Sequence, residues 1–293
     1  MPPEEKWTVS RLLAWTRDFF KKKGIEKPQL EAEILLACAM QIKRIELYTI
    51  YESEPPENQR AVYRDFVRRR GAGEPVAYLV GSKEFYSLTF KVDRRVLIPR
   101  PETEDLVLQT LDKLSAYPAG SEPVIADVGT GSGILAVTLA KHLPKHLTSA
   151  KIIAVDISPE ALAVAEHNAA VHHVAEKIEF RQSDLLEQVA EPPDIVVSNP
   201  PYVSRPEYEA LPDDVKNFEP KLALLAGENG TEIAERLIAQ SSVKLKPGGY
   251  LLIEGSPMIA EKVKSFFTGC WDDSQILPDL AGRQRIICGR KRQ

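Results

Sequence analysis

Between about residue 120 and residue 254 the chain alternates short apolar runs with helix-like stretches. Runs at 123–128, 151–156, 177–181, 193–198 and 248–254 read as buried strands. Helical patterns occupy 102–116, 133–143, 159–171, 230–244 and 257–267. Such alternation implies an α/β fold: a parallel sheet with helices on both faces, whose ligands bind beyond the carboxyl ends of the strands. Two further strands, 272–277 and 284–289, follow one another without a helix and form an antiparallel edge.

Ahead of this region the pattern is different. Residues 1–84 read as a small helical domain: Thr8 caps a first helix that stops at Gly24, and a second follows Pro28. A third covers about 43–51, and a fourth runs from about 56 to Arg70. Residues 85–99, "FYSLTFKV" and "RVLIP" around a turn at Asp93, predict a β-hairpin connector, leaving 100–293 as the sheet domain.

Several function classes are argued against. No apolar run approaches the roughly 18 residues of a membrane span. The acidic start "MPPEEKW" lacks the order of a secretion signal. Cys38, Cys270 and Cys288 are far apart, and the five histidines show no ligand spacing, so no metal is expected and a reducing cytoplasm fits. Residues 1–84 carry a net charge of +2 and the rest −6. That is a poor basis for gripping nucleic acid, and Lys21–Lys23 and Arg68–Arg70 read as basic last turns of helices.

Four strand ends carry groups suited to a nucleoside-like ligand. The first runs into "DVGTGSG", where Gly129, Gly131 and Gly133 allow a sharp turn and close backbone approach. Ile134 occupies the position where a dinucleotide fingerprint needs its last glycine, so the spacing suits a nucleoside without pyrophosphate. The second strand ends at Asp156, placed to take ribose hydroxyls. The third leads to Asp184, which can meet an adenine amino edge, and the fourth ends in "NPPY", Asn199 to Tyr202. Asparagine and proline also make ordinary turns.

This order of features resembles the class I S-adenosylmethionine-dependent methyltransferases, with a Rossmann-like, seven-stranded, mostly parallel sheet whose last strand is antiparallel. More specifically, "PVAYLVG", "IPRPETEDLV", "DVGTGSG", "SNPPYV", "FEPKLALLAGENG" and "AGRQRI" resemble the HemK/PrmC enzymes. That resemblance implies N5-methylation of the glutamine in the Gly-Gly-Gln loop of class 1 peptide chain release factors, with S-adenosyl-L-methionine as donor and the helical domain holding the factor. It places the donor on Gly129, Thr130, Gly131, Ser132, Gly133, Asp156, Asp184, Leu185 and Asn199. Arg100, Glu102 and Thr103 of "IPRPETE" are further candidate donor contacts. The same segment reads as a helix start with Pro101 near its first position.

For the substrate, the resemblance implies that the Asn199 side-chain oxygen and the Pro200 main-chain carbonyl accept the two N–H groups of the target amide. Pro200 biases Asn199 toward extended backbone, Pro201 fixes its own φ, and Tyr202 supplies a flat wall. "FEPKLALLAGENG" reads as a long loop lining the substrate groove. Leu185 stands where relatives often carry an aromatic, so the adenine pocket is expected to be aliphatic. Rival readings are glutamine methylation of a ribosomal protein, adenine-N6 methylation of nucleic acid, and a non-catalytic binding protein on the same fold.

Overall fold

Two units make up the protein in the computed structural model, which describes residues 6–279 and 281–293. One takes the chain up to Gly81 together with Asp213–Phe218; the other takes Ser82–Pro212 and Glu219–Gln293. Residues 1–5, the start of the "MPPEEKW" stretch, lie outside the described residues. No helix among the described residues is long and apolar enough to cross a membrane.

The first unit is helical. Helix α1 (Val9–Lys22) begins where Thr8 Oγ1 accepts the Arg11 N–H at 3.3 Å, and Gly24 follows its end at φ 75°. Helix α2 (Pro28–Met40) opens on proline, with α3 (Glu57–Gly71) and α4 (Val76–Val80) after it. Where a helix over 43–51 was expected, there is a five-residue 3₁₀ turn, Arg44–Tyr48. Its ends are drawn onto α2, since Arg44 Nη1 (2.9 Å) and Tyr48 OH (2.7 Å) both donate to the buried Glu33 carboxylate. Leu13, Phe20, Leu35, Leu36 and Leu47 fill the core. The basic runs do end helices, but Arg70 Nε also meets Glu31 at 2.6 Å and Arg69 Nε meets Glu74 at 2.8 Å. A helical turn at Asp213–Lys216 completes the unit.

The second unit begins with the hairpin β1 (Ser82–Phe85) and β2 (Leu88–Lys91). Its turn is Tyr86-Ser87, both at positive φ (50° and 59°), and not Asp93; residues 92–99 form no strand. Phe85 and Phe90 anchor the hairpin in the sheet core. Helix α5 (Thr103–Ser115) starts two residues past Pro101, which therefore precedes the N-cap Glu102.

Strand β3 (Val124–Val128), α6 (Ile134–His142), β4 (Lys151–Asp156), α7 (Pro159–Val171), β5 (Ile178–Gln182) and β6 (Ile195–Ser198) follow. Next come β7 (Val203–Ser204), α8 (Arg205–Glu209), the Asp213–Lys216 turn as α9, and β8 (Leu225–Gly227). Then α10 (Glu232–Lys244), β9 (Tyr250–Glu254), α11 (Ala260–Lys264), β10 (Trp271–Pro278) and β11 (Gln284–Lys291) complete the chain. The sheet order is β10-β11-β9-β6-β3-β4-β5, with β3, β4, β5, β6 and β9 parallel and β11 antiparallel to both neighbours. This is the seven-stranded, mostly parallel sheet expected from the sequence.

Alternate residues build the two faces. Ile152 and Ala154 point into one core with Leu139, Ile195 and Val197; Ile153 and Val155 point into the other with Leu237, Ile253 and Val263. Strand order reverses between β3 and β6, so a crevice opens beyond their carboxyl ends.

Candidate active site

Glycine is needed at the bend after β3 for two reasons. Gly133 lies at φ 81°, and a Cβ there would come within 3.0 Å of the Ala165 Cβ on α7. Behind the turn sits Asp127, fully buried, whose Oδ2 accepts from Thr130 Oγ1 (2.7 Å) and from the Ala136 N–H (3.0 Å) in the first turn of α6. Burial pushes its carboxyl up to about 7, against those two hydrogen bonds and with help from the charge of Asp156. Asn168 of α7 holds the turn from the other side, donating to the Ser132 carbonyl at 2.8 Å.

Asp156 stands at the end of β4, as expected, and its oxygens accept the Gly131 N–H and the Ser158 N–H, each at 2.9 Å. Burial raises this carboxyl, and the backbone donors oppose the shift. After β5, Asp184 is paired to Arg236 Nη2 at 2.7 Å, and Leu185 adopts φ 52°, an unusual conformation for leucine that aims the loop at the cleft.

The NPPY segment is clamped at both ends. Ser198 Oγ donates to the Val128 carbonyl at 2.7 Å, and the Val203 N–H donates to Leu224 where β7 pairs with β8. Asn199 Nδ2 donates to Thr103 Oγ1 at 3.1 Å, tying NPPY to the start of α5. Near it, the carboxylate of Glu219 accepts the Ile98 N–H (3.2 Å) and Arg100 Nη2 (2.5 Å), which fastens "IPR" to "FEPK". The "FEPKLALLAGENG" stretch is more ordered than the loop expected: it holds a 3₁₀ turn at Lys221–Ala223 and strand β8.

These elements surround a cleft of about 610 Å³. Its wall includes Gly129, Thr130, Gly131, Ser132, Asp156, Asp184, Leu185 and Asn199, together with Arg100 and Thr103. Gly133 lies just behind, packed on α7, and Glu102 turns instead to Arg285 at 3.7 Å. Of the prolines, Pro201 forms wall while Pro200 is buried; Tyr202 is half-buried behind the wall, its hydroxyl raised by burial and then by the charge of Glu254. The space, the glycine turn and the carboxylate at Asp156 fit a nucleoside-bearing donor.

Sequence reasoning passed over Asp127, Asn168, Glu219 and Glu254. The first and last carried a signal, an acid inside an apolar strand, which is costly unless it has a task. Asn168 and Glu219 became visible only through partners 77 and 121 residues away.

The chain matches the PrmC N-terminal domain over residues 11–81 and the methyltransferase small domain over residues 103–211. It is 48% identical to a release factor glutamine methyltransferase of Rhodopirellula baltica, covering 97% of each chain. A protein of the same name from Koribacter versatilis is 43% identical over 90% of this chain and 91% of its own. Among solved structures, a methyltransferase from Pyrococcus furiosus superposes with a TM-score of 0.52 at 16% identity, covering 78% of this chain and 99% of that one, a likeness of fold.

Proposed function

The chain belongs to the release factor glutamine methyltransferase family, and from that membership we propose that it methylates the N5 nitrogen of the glutamine in the Gly-Gly-Gln motif of class 1 release factors. The glycine turn 129–133, Asp156 and the Asp184–Leu185 loop hold S-adenosyl-L-methionine. When bound, it supplies an electrophilic methyl group on a sulfonium centre.

One observation carries the substrate side. Asn199 spends its amide nitrogen on Thr103, which leaves its oxygen as an acceptor at the cleft wall. A glutamine carboxamide is a weak nucleophile because its lone pair is delocalised, so the demand on the protein is orientation. Asn199 Oδ1 takes one N–H of the target, and the Pro200 carbonyl, on the peptide that leads into wall residue Pro201, takes the other. Pro200 and Pro201 limit the backbone freedom that would let this acceptor drift. Tyr202 backs the motif from behind the wall.

The helical unit, which exposes Trp15 (53%) and Ile45 (70%), holds the body of the factor in the cytoplasm. A nucleic-acid substrate finds less support, since Arg69, Arg70 and Arg236 are each paired with a carboxylate. Incubation with methyl-labelled donor and, in parallel, release factors, ribosomal protein, DNA and RNA tests the reading. Label is expected in the release factors alone; label in another substrate and none in the factors overturns it.

A further inference from the structure

The hydrogen bond that frees the Asn199 oxygen depends on a group deeper in the fold. Strands β6 and β9 are parallel neighbours with Ser198 opposite Ile253, so Asn199, the first residue past β6, follows the strand at the level of Glu254, the last residue of β9. Helix α5 packs against both strands and presents its first residue, Thr103, to the pair. Thr103 is 0% exposed and Glu254 1%. Asn199 Nδ2 donates to Thr103 Oγ1, and Glu254 is buried close enough to the Thr103 side chain for that hydroxyl to favour its ionised form.

We propose that Thr103 and Glu254 are positioning residues that set which end of the Asn199 carboxamide faces the cleft. This rests on the reading above, in which the Asn199 oxygen accepts the target amide.

The two ends of a carboxamide are nearly the same size, so only hydrogen-bond partners choose between them. A threonine hydroxyl can serve either end, because it both donates and accepts. It discriminates only when its own proton is committed elsewhere. An ionised Glu254 takes that proton, Thr103 Oγ1 then offers lone pairs alone, and the amide nitrogen must turn inward. A protonated Glu254 removes the constraint: it can donate to Oγ1, the hydroxyl can donate to the Asn199 oxygen, and the nitrogen would face the cleft. The substrate N–H would then meet a donor.

Glu254 has no other evident duty that needs a carboxylate there. Its Oε2 finds no hydrogen-bond partner among the described residues, a state that buried acids rarely keep without a function. The charged and titratable groups around it are Arg285 on β11, Glu102 and Asp105 at the start of α5, and Tyr202. Burial pushes its carboxyl up to about 7; Thr103 and Arg285 pull the other way, and the two acids add to the rise. The switch therefore operates near neutral pH.

The test compares wild type with Thr103→Val, Thr103→Ser and Glu254→Gln, each checked for a normal melting transition. Exchange of the Asn199 side-chain amide protons is followed by NMR without ligands. Turnover is measured with saturating donor and release factor. Thr103→Val is expected to speed that exchange and, at saturating donor, to lower kcat by about tenfold to a hundredfold, the cost of a misplaced reacting group. Thr103→Ser is expected to restore both. Wild-type kcat should rise with pH through the Glu254 ionisation, and Glu254→Gln should lose that rise.

Wild-type exchange and kcat in Thr103→Val overturn the proposal. Should Thr103→Val not fold, Glu254→Gln decides alone, and an unchanged exchange rate and pH profile overturn it. If the wild-type protein leaves release factors unmodified, the functional reading falls, while the NMR comparison still decides the relay.

Discussion

The side chain of Asn168 grips both backbone groups of Lys91: its Oδ1 accepts the Lys91 N–H at 2.8 Å and its Nδ2 donates to the Lys91 carbonyl at 3.0 Å. The same Nδ2 donates to Ser132 in the glycine turn. One buried amide thus joins the β1–β2 hairpin, α7 and the glycine turn. Asn168→Ala leaves these backbone groups unsatisfied and should cost about 1–3 kcal/mol. Chemical denaturation reads the loss. Isothermal titration with S-adenosylmethionine should show weaker binding as the Ser132 bond is lost.

Glu219 makes a comparable bridge at the cleft edge, holding Ile98 and Arg100 from a position 119 residues beyond the arginine. Glu219→Ala removes the acceptor for a guanidinium and a backbone N–H. Breaking a buried pair by removing one partner typically costs several kcal/mol, discounted here because Arg100 is partly exposed. A drop of about 1–2 kcal/mol is expected, and hydrogen exchange over residues 97–100 should accelerate.

Asp127 makes stability depend on pH. Its folded carboxyl titrates at about 7, above the roughly 3.9 of an unfolded aspartate, so the folded state holds the proton more tightly. Stability from this group is full below the unfolded value and is lost as pH rises toward 7, with a limiting slope of about 1.4 kcal/mol per pH unit. Asp127→Asn keeps the acceptor for Thr130 and Ala136 and removes the titration. Melting temperatures measured from pH 4.5 to 7.5 should decline for wild type and be flatter for the variant.

The glycine turn, Asp156, Asp184 and NPPY were legible because each follows an apolar strand, and parallel strands deliver their ends to one rim. The hairpin turn was misplaced for a local reason. Two-residue turns with positive φ favour Asn-Gly, and this one is Tyr-Ser, held by the burial of Phe85 and Phe90 on either side. The acid at Asp93 looked more like a turn. Proline at 101 suggested a helix over 102–116; the helix begins one residue later, at Thr103, the residue that also meets Asn199. Glu219 and Asn168 were beyond reach because nothing near them in sequence names their partners. Local chemistry marks the strand ends that meet at one cleft; the braces come from tertiary pairing.

In the proposed reaction Asn199 presents an acceptor to a glutamine amide. The most direct measurement is tandem mass spectrometry of the Gly-Gly-Gln peptide from release factors incubated with S-adenosylmethionine and either wild-type protein or Asn199→Ala, with donor binding confirmed for both. One added methyl on the glutamine side chain is expected with wild type, and its loss, or a reduction of about a hundredfold or more in rate, with the variant. An unmodified glutamine with donor-bound wild type, or equal methylation by the two proteins, would contradict this reading.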